Sequence, residues 1–131
     1  MGLKHLLNVL ILVSLGELII LSHFTVEHEN AHKAIMEYYG FPPDHVKIRY
    51  DKFLIFKMGG DTYLDTYLYT NDTDVWYYNI GNTTFSISRE DYRAMMFLHS
   101  LNEIINYNLE SFLIGLFYLT NLLIIFMLIR G

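Results

Sequence analysis

The sequence has no cysteine, only two prolines and no surplus of positive charge. The absence of cysteine excludes disulfide bonds, cysteine-ligated zinc and iron–sulfur clusters, so histidine, aspartate or glutamate must hold any bound metal. The formal net charge is −5 at pH 7, and residues 27–110 carry 13 acidic against 7 basic side chains. Because the nucleic-acid backbone is itself anionic, we expect no nucleic-acid partner.

Apolar side chains are in excess: they make up 53% of the 131 residues and concentrate at the two ends. The run from Leu6 to Val26 holds about 21 residues, which at about 1.5 Å per residue matches a hydrocarbon core of about 30 Å. A second run, from Phe112 to Ile129, holds about 18 residues and is closed by Arg130, which can reach lipid head groups. We therefore predict a multi-pass membrane protein with two spans that contacts membrane lipids.

A cleaved signal peptide is the alternative interpretation of the first run, because Lys4 and His5 precede it. The run is long, however, and no small-x-small cleavage site follows it, so we favour a retained span. Glu17 lies inside this run, where an ionisable group costs at least a few kcal/mol. It is eleven residues from His28, about 16 Å along a helix, and is too far away to share a metal ion with it. Glu17 would instead line a polar path, pair with another subunit or be protonated.

The polar segment between the ends reads as strands followed by a helix. Pro42 and Pro43 stop any helix that arrives at Gly40, and the residues after them favour strands. Turn signals at Gly59-Gly60 and Gly81-Asn82 indicate short connections, hence a small antiparallel β-meander. The predicted strands are approximately Val46–Lys57, Thr62–Tyr69, Asp74–Asn79 and Thr83–Ser88.

An amphipathic helix is predicted after the last strand. Ser88 is suited to cap its N-terminus, and Glu90 and Asp91 in the first turn complement the helix dipole. Apolar residues then recur at helical spacing as far as Ile105. Asn106-Tyr107-Asn108 marks a candidate break between this helix and the second apolar run.

The segment His28-Glu29-Asn30-Ala31-His32 carries the pattern that most specifically indicates chemistry. Histidines four residues apart lie on one face of a helix, at about the separation that lets both bind one metal ion. In zinc peptidases of the HExxH type, the glutamate is the general base and does not bind the metal. The flanking residues favour helix as far as Gly40, which can cap its C-terminus.

The stretch HENAHKAIMEYYG resembles the motif helix of membrane-embedded zinc proteases of the site-2 protease type, in which HExxH follows an apolar run and a glycine closes the helix. It is also similar to small membrane zincins that place a strand-rich insert after the motif. The resemblance implies a Zn²⁺ cofactor on His28 and His32, with Glu29 as the catalytic residue. Site-2 proteases take a third ligand from an aspartate in a later span, and this sequence lacks the corresponding segment.

Two residues of the predicted amphipathic helix are candidates for the third metal ligand. Glu103 follows Asn102, similar to the Asn-Glu pair that supplies a ligand in thermolysin-like zincins, and His99 lies one turn earlier on the same face. Asp44 and His45 are poorer candidates, because a loop would have to fold back to bring them to the motif.

The sequence therefore predicts an α+β membrane protein in which N- and C-terminal transmembrane helices flank an HExxH helix, a small antiparallel β-meander and an amphipathic helix. We divide it into an N-terminal transmembrane helix at residues 1–27, a zincin-like α+β domain at 28–110 and a C-terminal transmembrane helix at 111–131. The expected function is a zinc metalloendopeptidase that cleaves a peptide or membrane-protein substrate at or near the membrane, with self-association through the spans.

Two other functions stay open on sequence grounds. The first is a non-enzymatic membrane protein whose β-rich loop binds a partner, with HENAH accidental or a degenerate metal site. The second is a metal carrier or sensor, which needs the histidines but not Glu29. The enzyme alone requires a third ligand together with a cleft that water can enter.

Overall fold

Two long helices, one at each end of the chain, flank four short strands. A computed structural model describes residues 2–71 and 74–131. In chain order the elements are α1 (Leu3–Tyr38), a 3-10 turn (Pro43–His45), β1 (Val46–Phe53), β2 (Phe56–Leu64), β3 (Val75–Ile80), β4 (Thr83–Ser88) and α2 (Arg89–Arg130). The predicted α+β class is confirmed.

Helix α1 joins the first apolar run and the HExxH segment in one uninterrupted element of 36 residues. It ends in a Schellman motif: the Gly40 N–H donates to the Glu37 carbonyl over 3.0 Å and the Phe41 N–H to the Met36 carbonyl over 3.2 Å. Gly40 has a φ of 91°, which glycine adopts without the strain that a side chain would cause. The predicted C-terminal cap is confirmed.

Helix α2 likewise joins the amphipathic segment to the second apolar run, over 42 residues. The Asp91 N–H donates to the Ser88 side-chain oxygen over 3.1 Å, which confirms Ser88 as the N-cap. The predicted break at Asn106-Tyr107-Asn108 is wrong, because the helix passes through these residues. They include neither proline nor glycine, and the helical propensity of asparagine is only modestly below average.

The predicted single meander is also wrong: the described strands form two separate antiparallel pairs, β1 with β2 and β3 with β4. The first hairpin turns at Leu54-Ile55, whereas Gly59 and Gly60 lie inside β2. Gly60 is needed for close approach, since a Cβ there would lie 3.0 Å from the Cγ of Glu29 on α1. The glycine pair therefore does not mark a turn, and it is Gly60 that the packing requires.

A small hydrophobic core joins both hairpins to the C-terminal end of α1 and the first turns of α2. Phe41 and Val46 are fully buried within it, and Phe41 stacks on Tyr78 with ring centroids 4.9 Å apart. The other buried members of the cluster are Met36, Ile87 and Met95. This core holds the HExxH end of α1 against the N-terminal half of α2, which positions the candidate site.

The apolar parts of α1 and α2 lie outside that core. Both helices are long and apolar enough to cross a membrane, and no residue in the most apolar stretch of either is buried. Glu17 and Asn121 meet between them, where the Asn121 amide donates to a Glu17 carboxyl oxygen over 3.2 Å. The polar partner of Glu17 is therefore on the same chain.

Candidate metal centre

Helix α1 presents His28 and His32 on one face, as their spacing of four residues requires. Their rings meet edge to face with centroids 4.6 Å apart. Helix α2 packs across this face and brings Glu103 to both rings: its Oε1 lies 2.7 Å from His32 Nε2 and 3.2 Å from His28 Nε2. The facing atoms of the three side chains all lie within 4.8 Å of one another, and this group could hold a metal ion.

The donor set fits a small divalent cation. Tetrahedral zinc with bonds of about 2.0 Å requires about 3.3 Å between neighbouring ligand atoms; the two Glu103 contacts, at 2.7 and 3.2 Å, lie near this value, and all three ligand atoms lie within 4.8 Å of one another. The histidine side chains are about one-tenth exposed, whereas the Glu103 side chain is 62% exposed. Protein therefore covers most of the two histidine side chains, and the group is open to solvent on the side of Glu103.

Glu29 lies next to this group and is nearly inaccessible, with 3% of its surface exposed. Its Oε2 accepts a hydrogen bond from the Thr62 hydroxyl over 2.6 Å, and the same hydroxyl lies 3.1 Å from the Glu29 carbonyl oxygen. The other carboxyl oxygen, Oε1, lies 3.8 Å from His28 Nε2. Thr62 thus fixes one oxygen of the buried carboxylate while the other stays beside the candidate ligands.

His99 takes a different place from Glu103, although both were candidates for the third ligand. Its Nδ1 lies 2.7 Å from His32 Nδ1, the ring nitrogen that faces away from Glu103. Burial lowers the pKa of His99 and the nearby His32 lowers it further, while Glu103 acts in the opposite direction. A neutral His99 can accept a hydrogen bond from the His32 Nδ1–H, which leaves His32 Nε2 free to bind a metal.

The sequence did not assign a role to Asn102 beyond its place before Glu103. Its side-chain amide lies 3.3 Å from His28 Nδ1 and 3.2 Å from the His28 carbonyl oxygen. The two motif histidines therefore differ at Nδ1: His32 faces His99, which can accept the hydrogen bond that a metal-bound histidine donates there, whereas His28 faces an amide nitrogen, which is a donor. Thr62 was missed altogether, because a threonine in a strand carries no signal of its own. His45 pairs with Asp65 at 2.8 Å and is not part of the group.

A cavity of about 360 Å³ lies beside the candidate centre. Glu29, His32, His99 and Glu103 line it together with Thr62 of β2. Its remaining wall is largely apolar and includes Met36, Leu64, Leu68, Tyr92, Met95 and Met96. The space is large enough for an amino-acid side chain next to the histidines and the Glu29 carboxylate.

Comparison of the chain with protein-family models, with curated proteins and with solved structures finds no match.

Proposed function

We propose that this protein is a membrane-bound zinc metallopeptidase that hydrolyses peptide bonds at or near the membrane surface. The observation that carries the proposal is the convergence of His28, His32 and Glu103 beside the buried carboxylate of Glu29. Two histidines and a glutamate form a recurrent catalytic zinc ligand set, which leaves a position open for chemistry. If the HExxH segment were accidental, a third ligand and an apolar-walled cavity would not be expected at the same place.

The membrane assignment is supported by the exposure of the two apolar stretches. A helix of this hydropathy in the core of a soluble protein is mostly covered, yet neither stretch has a buried residue. The first stretch is also bonded to the rest of the fold, through Glu17 to Asn121 and through Ser22 to the Lys57 backbone. These bonds favour a retained span over a signal peptide, which would leave the fold upon cleavage.

The residues of the chain have separate roles in this proposal. His28, His32 and Glu103 hold the metal, and zinc bound there supplies a Lewis acid that polarises the peptide carbonyl and acidifies water. Glu29 acts as general base at its Oε1, removing a proton from the attacking water and returning it to the leaving amine. Thr62 keeps that carboxylate oriented, and His99 orients His32.

In this proposal strand β2 holds the substrate. It pairs with β1 on one side, and no further strand pairs with it in the part of the chain that the structure describes. Gly60, Thr62 and Leu64 of β2 line the cavity beside Glu29. An extended peptide that adds to this edge would lie alongside the candidate centre, with one side chain in the apolar part of the cavity.

The test begins with metal content. The protein purified in detergent is supplied with zinc and dialysed, and bound zinc is measured by elemental analysis for wild type and for His28→Ala, His32→Ala and Glu103→Ala. We expect one zinc per chain in wild type and loss in all three variants. His45→Ala is the matched control, since His45 pairs with Asp65 away from the group, and it should keep its zinc.

Activity is then measured in mixed micelles with a peptide library read out by mass spectrometry. Glu29→Gln should keep its zinc and lose at least about a hundredfold in rate, as expected for removal of a general base. Cleavage by wild type but not by Glu29→Gln supports the peptidase. Zinc binding with no cleavage would leave a metal-binding membrane protein, and equal zinc content in wild type and all variants would refute the centre itself.

A further inference from the structure

The tip of the β1–β2 hairpin exposes three consecutive large apolar side chains. Phe53, Leu54 and Ile55 are 57%, 77% and 83% exposed. Tight hairpin turns in water are normally made of asparagine, aspartate and glycine, which suit both solvent and turn geometry. A tip of phenylalanine, leucine and isoleucine is therefore not explained by the turn.

The backbone conformation at the tip makes leucine an unusual residue for position 54. Leu54 has a φ of 54°, and among the described residues it is the one non-glycine residue with positive φ. A left-handed conformation brings the Cβ of a side chain too close to the following carbonyl oxygen, a strain that glycine avoids. Leucine at this position is thus unfavourable for the local conformation and, in water, for solvation.

The tip lies beside the candidate membrane span of α1. The Lys57 N–H, just after the tip, donates to the Ser22 hydroxyl over 2.9 Å, and Ile55 shares a surface depression with Ile19 and Val26. Ser22 belongs to the apolar run Leu6–Val26, about 6 Å before its end along the helix axis. The hairpin therefore extends from the polar domain back along the last turns of this run.

Two lysines stand directly behind the apolar tip. Lys52 and Lys57 are paired across the hairpin, next to the pair Phe53 and Phe56. Like charges at directly opposed positions repel in water, yet both gain if anionic phosphate groups lie at that level. The Lys57 ammonium also lies 4.2 Å from the centre of the Tyr50 ring, and tyrosine and lysine are both typical of the head-group layer.

We infer that the β1–β2 tip, residues 53–55, is inserted in the lipid bilayer as a second anchor, with its apolar side chains among acyl chains and Lys52 and Lys57 at the head groups. The inference rests on the proposed insertion of α1 and does not depend on the peptidase activity. Acyl chains account for the exposed leucine and isoleucine, and the phosphate layer accounts for the opposed lysines. His28 follows Ser22 by six residues, about 9 Å along α1, so the tip would hold the candidate metal centre close to the membrane surface.

The absence of cysteine allows a direct test with single-cysteine variants carrying a nitroxide label. The full chain is reconstituted into vesicles of phosphatidylcholine and phosphatidylglycerol. Relaxation of the label by molecular oxygen, which concentrates in lipid, is compared with relaxation by a water-soluble nickel chelate. Ile55→Cys reports on the tip, Tyr67→Cys on a 91% exposed residue of the polar domain, and Leu122→Cys on the apolar part of α2. Thermal unfolding of each labelled variant checks that it folds.

We expect the Ile55 label to behave like the Leu122 label, relaxed mainly by oxygen, and the Tyr67 label to be relaxed mainly by the nickel chelate. An Ile55 label relaxed by nickel, with a lipid-exposed Leu122 label, would overturn the inference and leave the two spans intact. An Ile55 label shielded from both reagents would indicate burial against protein and would also overturn it. Nickel access at all three labels would refute the spans themselves.

Discussion

Gly60 illustrates how a single residue without a side chain can determine the position of a reactive group. A Cβ at this position would meet the Arg49 carbonyl oxygen at 3.0 Å and the Glu29 side chain at 3.0 Å. Neither neighbour can move freely, because the carbonyl belongs to the paired strand and Glu29 is held by Thr62. The buried carboxylate and the glycine that makes room for it therefore form one unit.

We predict that Gly60→Ala displaces Glu29 while leaving the metal ligands in place. Overpacking of this kind costs about 1–3 kcal/mol, so the unfolding temperature should fall. Zinc content should stay at the wild-type level, and peptidase activity should drop because the general base has moved. Gly59→Ala is the matched control, since its Cβ would make only an ordinary 3.5 Å contact with Asp51. Equal activity in the two variants would contradict the proposed role of Gly60.

The third ligand has two candidates, Glu103 and His99, and the zinc affinity of their alanine variants distinguishes them. Glu103 faces both Nε2 atoms, so Glu103→Ala should abolish stoichiometric zinc binding. His99 faces His32 Nδ1, so His99→Ala should keep the site and weaken zinc affinity about 10- to 100-fold, the usual effect of removing a group that orients a ligand. Competition titration with a chromophoric chelator measures both constants. The reverse order of effects would make His99 the ligand.

At the scale of elements, the C-terminal end of α1 and the N-terminal end of α2 could be predicted from sequence, and the turn of the first hairpin could not. Gly40 and Ser88 act through local hydrogen bonds that depend on a few neighbouring residues. The turn at Leu54-Ile55 has no turn residues, and in the Gly59-Gly60 pair, which resembles a turn signal, Gly60 lies where β2 approaches α1. The place of Gly60 in β2 depends on its contact with Glu29, which is distant in the sequence, so the local sequence does not reveal it.

The same distinction applies to the candidate site. The spacing of His28 and His32 is a property of one helix, so the motif could be found in the sequence. Which residue of α2 faces the motif depends on how the two helices cross, and that is decided by packing of the core between them. The sequence therefore named Glu103 and His99 together, and the structure separates their positions.

The contact between the apolar parts of α1 and α2 contains one polar pair, Glu17 with Asn121. One oxygen of each side chain is buried without a hydrogen-bond partner among the described residues. We predict that Asn121→Leu lowers the unfolding temperature, because it leaves Glu17 without its donor in an apolar environment. The double variant Glu17→Leu/Asn121→Leu should regain most of the loss, since replacing both partners removes the desolvation cost.

A double-mutant cycle measured by thermal unfolding in detergent gives the coupling of this pair, with an expected value of about 0.6–1.7 kcal/mol. Thr120→Val is the control, because the Thr120 hydroxyl bonds only to Leu116 of its own helix. The cycle also needs Glu17→Leu alone, and a double variant whose loss equals the sum of the two single losses would show that the pair contributes nothing to the contact.

At the scale of the whole molecule, each long helix combines an apolar half with a half that carries candidate ligands. His28 and His32 come from α1 and Glu103 from α2, so a bound ion would connect the two helices just beyond their apolar parts. The small core beside the site supplies the only extensive burial among the described residues, with few fully buried side chains. An ion bound between α1 and α2 should therefore contribute strongly to the stability of a fold of this kind.

We predict that zinc raises the unfolding temperature of the detergent-solubilised protein and that a chelator reverses the increase. Free zinc at about a hundred times the dissociation constant stabilises the folded state by about 2.7 kcal/mol. His28→Ala, which removes an α1 ligand, should show no zinc-dependent shift, and neither should Glu103→Ala, which removes the α2 ligand. His45→Ala should keep the full shift, because His45 is engaged with Asp65. An equal shift in all four proteins would mean that zinc stabilises the chain at some other place, so that no metal link between α1 and α2 exists.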